Sequence, residues 1–137
     1  IKQTPGAIGY IEYAFAMATK QPMALLENKA GQFVAPGDEA GKAALASAEF
    51  PTGKLPGSDA PDLRVWVTDP AGAQSYPIAS FTWMLFYLDQ DDDKAKVLRD
   101  LVEYGLTKGQ ETAPKMGYIP LPDNVVERVR KAAALIQ

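Results

Sequence analysis

Eight consecutive residues restrict what this chain can fold into more than any others: Phe81-Thr82-Trp83-Met84-Leu85-Phe86-Tyr87-Leu88. The run is rich in aromatic and β-favouring side chains, carries no charge, and is too short for a membrane span. It therefore reads as a largely buried strand, which must be covered by other layers of the fold. The text around it is helical. Val97, Leu98, Leu101, Val102 and Leu106 recur at helical spacing behind Asp91-Asp92-Asp93, with Lys108 after them, and this charge order suits a helix dipole. Gly105 or Gly109 is expected to end that helix. Pro122 then opens a last helix with Val125, Val126, Val129, Ala133 and Ile136 on one face and Glu127 to Lys131 as its ion pair. Strand and helix together predict an α/β fold.

The first half follows the same logic. Ala7-Ile8-Gly9-Tyr10-Ile11, entered through the turn pair Pro5-Gly6, reads as a strand, and 12–19 as a buried helix. Gln32-Phe33-Val34-Ala35 predicts a short strand that stops at Pro36-Gly37. Asp38 is the expected N-cap of an Ala-rich helix to Glu49. Residues 50–62, with three prolines and two glycines, form a surface loop. Leu63–Thr68 alternates as a half-buried strand does, and Asp69-Pro70-Ala71-Gly72 is a turn.

Composition narrows the chemistry. The 137 residues include no His and no Cys, which removes His-based triads, thiol nucleophiles, disulfides and Cys/His zinc sites. A net charge of -3 argues against a nucleic-acid partner, which needs a basic stripe. Asp89-Gln90-Asp91-Asp92-Asp93 spaces carboxylates like a calcium loop, but the sixth position is Lys94 where Gly is required and the twelfth is Asp100 where Glu is required. The cluster is better read as a solvated helix start, and no metal is expected. Asp59 and Asp62 could divide acid and base roles, as glycoside hydrolysis requires, yet Asp in a Pro/Gly-rich loop ordinarily serves turns. Pro5-Gly6-Ala7-Ile8-Gly9 lacks the spacing of a phosphate loop. Trp66, Trp83, Tyr10, Tyr13 and Phe15 could line a pocket but are more simply core. No catalytic residue and no cofactor is expected from the residues themselves.

Four stretches, in order, carry a resemblance: Thr4-Pro5-Gly6-Ala7-Ile8-Gly9-Tyr10-Ile11-Glu12-Tyr13-Ala14-Phe15-Ala16, then Asn28 to Pro36, then Ser75-Tyr76-Pro77-Ile78, then Gly117 to Arg130. Together they resemble the C-terminal part of the phosphate-binding proteins that serve the phosphate-specific ABC transporter. The resemblance implies a periplasmic binding protein of type II, two-lobed, that is no enzyme but captures inorganic phosphate and hands it to an ABC permease. It implies a periplasmic or extracellular location, with a secreted or lipid-anchored parent. Residues 1–75 would complete the second lobe, 76–80 the hinge crossing, and 81–137 the return to the first lobe. Tyr76, Pro77 and Ile78 are the expected hinge, since a proline strand between a glycine-containing turn and a buried strand can absorb a rotation.

The family's phosphate ligands precede the Gly-Ala-Ile-Gly-Tyr text, so none is assigned here. Arg64, Arg99, Ser80 and Thr82 lie in no matching motif. Strands of two open sheets would stand bare without the preceding segment. The chain is accordingly expected to be a cleavage product held by its own N-terminal fragment, or a partial sequence. The alternatives are a carboxylate-dependent, phosphatase-like hydrolase and an adhesion or signalling module on the same fold.

Overall fold

A computed structural model describes residues 1–137. In chain order it contains α1 (Tyr13–Ala18), β1 (Leu26–Glu27), β2 (Phe33–Val34), α2 (Asp38–Ala46), α3 (Asp92–Leu106), α4 (Lys108–Thr112), a 3-10 turn (Ala113–Met116) and α5 (Asp123–Ala133). The only sheet is the antiparallel pair β1–β2, in which Leu26 faces Val34 and Glu27 faces Phe33. No helix is long and apolar enough to cross a membrane.

The core gathers on α2. Its small residues Ala40, Gly41 and Ala44, followed by Leu45, turn one narrow face inward. Ala44, Leu45 and Val67 are packed by Ala48, Ala79, Phe81 and Ile119. The absence of a Cβ at Gly41 lets the Ile119 side chain lie directly against α2. Gly117 has two reasons to be glycine: its φ of +80° lies in the left-handed region, and a Cβ would stand 2.8 Å from Ala14 Cα. Aromatic pairs extend the cluster. Phe50 meets Phe81 with centroids 5.7 Å apart under the Arg128 guanidinium, and Trp66 meets Trp83 edge-on, also at 5.7 Å.

The C-terminal helices form a second assembly. Arg130 bridges α5 to Glu103 of α3 at 2.9 Å, and Gln110 ties the Leu121 amide to the Gly105 carbonyl. The end of the chain folds back: Gln137 N–H donates to Leu88 O, Gln90 N–H donates to Gln137 O, and Arg99 donates to Ile136 O. Asn124 joins this assembly to α2 by donating to Ala46 O.

Three expected strands are not strands. Residues 7–11, 63–68 and 81–88 run outside the sheet, touched only by an isolated bridge between Thr68 and Ile78. From Ile78 to Asp89 no backbone N–H donates to a backbone carbonyl. A strand is a relation between two segments, and local β preference cannot supply the second one. Smaller corrections have equally local causes. Asp38 is the first residue of α2, with Gly37 in the cap position, and α2 stops at Ala46. Neither Gly105 nor Gly109 ends α3. It breaks at Thr107, whose hydroxyl donates to Glu103 O, and Lys108 and Gly109 begin α4. Glu127 pairs with Arg130 at i,i+3, not with Lys131.

The accessible surface is 9803 Å², against the roughly 7,000 Å² that a folded monomer of this mass presents. The bare segments contribute to it. Ile8 and Tyr10 are 98% and 99% exposed, and Leu85 and Tyr87 are 92% and 84% exposed. The sequence expectation that 81–88 lies buried is not met within this chain.

Candidate functional site

The residues expected to form the hinge start at a junction of four segments. Ser75 N–H donates to Gly72 O, closing the turn before them. Tyr76 N–H donates to Ala40 O of α2 at 3.1 Å, and its hydroxyl donates to Ala24 O at 3.4 Å. Partial burial holds the Tyr76 phenol above its ordinary pKa, so it remains a neutral donor. Pro77 O accepts from Asp69 N–H at 3.2 Å, and Ile78 bridges Thr68. Pro77 precedes that isolated bridge and contributes only its carbonyl, so its ring nitrogen is asked for nothing.

At the centre of the junction is a side chain to which the sequence reading gave no role. Asn28 is 5% exposed and makes five side-chain hydrogen bonds. Its Nδ2 donates to the carbonyls of Gly72, Ala73 and Ser75 at 3.3, 2.9 and 3.2 Å. Its Oδ1 accepts from Ala30 and Gln32 N–H at 3.1 and 3.0 Å. Only a side-chain amide can donate to one loop and accept from another in this way. The Asn28-Lys29-Ala30-Gly31 text signals a turn, with Gly31 at φ +76°, but nothing local announces a partner more than forty residues away.

The carboxylate candidates do not meet. Asp59 pairs with Lys54 at 2.6 Å, and hydrogen bonding to that ammonium lowers its pKa. Asp62 receives both Nε and Nη2 of Arg64, at 2.9 and 2.8 Å, together with the Arg64 backbone N–H. Those bonds lower its pKa to about 2. Both carboxyls are therefore ionised at neutral pH, and neither is suited to donate a proton. The same pairing commits Arg64. Arg99 is committed to Ile136 O. Of the 89–93 carboxylates, Asp91 occupies the cap position of α3 and Asp92 and Asp93 lie in its first turn. Ser80 donates to Phe81 O, and Thr82 is exposed. Tyr13 lines a groove of about 790 Å³ beside α2, while Tyr10 and Phe15 are exposed and Trp83 donates to Leu63 O. Pro5-Gly6 is a turn, with Gly6 at φ +80°.

No family model matches the chain. Curated proteins do. It is 34% identical over its whole length to the phosphate-binding protein PstS of Methanocaldococcus jannaschii. It is 31% identical over 94% of its length to PstS of Xylella fastidiosa strain 9a5c, and 31% identical over 95% to PstS of Haemophilus influenzae. In each case it spans little more than a third of the relative: 36%, 34% and 37% respectively. These relationships imply a periplasmic binding protein fold, of which this chain carries a mixed helix and sheet portion. More narrowly, the chain belongs to the PstS phosphate-binding protein family over the segment it spans.

Proposed function

We propose that this chain is the C-terminal part of a two-lobed, type II solute-binding protein that captures inorganic phosphate outside the cytoplasm and delivers it to an ABC permease. Residues 1–75 finish the second lobe, Tyr76-Pro77-Ile78 open the crossing, and 81–137 return to the first lobe. The observation that carries the reading is similarity along the entire chain to proteins about three times as long, all named for phosphate binding.

Surface physics supports the same reading. An excess of about 2,800 Å² over a folded monomer of this mass is the scale of an obligate interface. The apolar run 81–88 bears none of the Lys or Pro that natural edge strands use to repel partners. Its occupant in this reading is the N-terminal portion of the same protein, which also furnishes the phosphate ligands. The role of this portion is lobe scaffold, crossing and permease-facing surface, with no turnover. The pairing of Asp59 and Asp62 with cations supports that last point against a carboxylate-dependent hydrolase.

Calorimetric titration of the complete protein with inorganic phosphate tests the proposal. Saturable 1:1 binding that arsenate competes for is the expected result. Absence of heat and of competition would overturn it.

A further inference from the structure

The junction around Asn28 lies where the proposed crossing begins, and its bonds are distributed unevenly along the chain. Before and within 76–78, the backbone is fastened by Asn28 to the carbonyls of 72, 73 and 75, by Tyr76 N–H to α2, and by Pro77 O to Asp69. After Pro77 the backbone fastening stops, since from Ile78 to Asp89 no backbone amide donates to a backbone carbonyl, and the chain is held by side chains alone: Ala79 and Phe81 on the Ala44, Leu45 and Val67 core, and Trp83 by its bond to Leu63 O. Ser75, at the end of that turn, is wholly buried.

We infer that Asn28 is a positioning residue that fixes segment 72–78 to the N-terminal half of the chain, so that any rotation between lobes takes place outside Tyr76-Pro77-Ile78. The inference rests on the two-lobed reading above and narrows it. Chemistry selects Asn at this position. Asp would still accept from the Ala30 and Gln32 amides, but it has no proton at neutral pH to give the three carbonyls and would repel them. Ala would lose both sets of bonds. The two variants therefore separate formation of the 28–32 loop from anchoring of the crossing.

The test is site-resolved hydrogen exchange on the complete protein, first without phosphate. In the unaltered protein the Asp69 and Tyr76 amides are expected to be protected. In Asn28→Asp they exchange at least tenfold faster, while Ala30 and Gln32 keep their protection and α5 is unchanged. In Asn28→Ala the protection of Ala30 and Gln32 is lost as well. Unchanged exchange at Asp69 and Tyr76 in both variants would overturn the anchor. If neither variant folds, the unaltered protein still decides: added inorganic phosphate should alter exchange elsewhere in the protein and leave 72–78 as it was, and phosphate-linked change inside 72–78 would overturn the anchor. A protein that takes up no phosphate refutes the functional reading and the placement of the rotation with it, whereas the phosphate-free comparison of variants judges the anchor separately.

Discussion

The corner formed by α2, the 28–32 loop and the 72–78 turn contrasts with the run from Ser80 to Leu88 that follows it directly. In the corner the backbone is tied down, with the Ser75 hydroxyl the one buried side-chain polar atom left without a partner. Small residues admit close approach, a buried amide satisfies five backbone groups, and Leu45 and Val67 share an apolar core. In the run that follows, the side chains are more apolar, yet Met84, Leu85 and Tyr87 face solvent and the backbone amides have no backbone partners. Hydrophobicity alone therefore does not order a segment. A helix satisfies its own backbone, while a strand must be satisfied by another strand, and within this chain the run has no strand partner.

The largest effect that would sharpen this contrast is expected inside the corner. Leu45→Ala should cost about 2–5 kcal/mol of unfolding free energy, read from denaturant melts, because the cavity is enclosed by Val67, Phe81 and Ile119. Gly117→Ala should follow at about 2 kcal/mol, from a left-handed φ and a backbone contact with Ala14 that cannot move aside. Leu85→Lys is the substitution most able to break the comparison. In this chain alone it should change stability by less than about 0.5 kcal/mol, as an exposed position does, whereas in the complete protein it should cost more than about 2 kcal/mol. Equal small effects in both would mean that the run is never covered.

The smallest effect is electrostatic. The folded pKa of Asp62 lies at about 2, below its ordinary 3.8, chiefly through side-chain hydrogen bonds from Arg64. A depressed carboxyl stabilises the fold above its unfolded pKa and loses that contribution as pH falls from about 4 toward 2. The Arg64 partner is solvent-exposed while the Asp62 side chain is largely covered, so salt should weaken the pair in part. Carbon-detected NMR titration of the Asp62 carboxyl should give a midpoint near 2 at low ionic strength and a higher one in 1 M NaCl.

What the sequence revealed follows from the same physics. Helices α2, α3 and α5 were legible because their periodicity, acidic starts and proline boundary act within a few residues. The break at Thr107 was hidden, since Gly105 and Gly109 looked like stops while the actual interruption is a hydroxyl bonded to Glu103 O. Strand character at 7–11, 63–68 and 81–88 was legible as preference but not as pairing. The family was readable from four motifs in order, and the relatives bear it out. Asn28 stood inside one of those motifs and still went unremarked, because its partners are more than forty residues distant and are main-chain carbonyls that carry no signature.

The central claim is that the bare run 81–88 is made to be covered by the rest of a longer phosphate receptor. Hydrogen exchange at those amides, compared between this chain alone and the complete protein, tests it most directly. The account predicts near-intrinsic exchange in the chain alone and slowing by roughly a thousandfold or more in the complete protein, where opening would require disrupting a lobe. Equally fast exchange in both would contradict it.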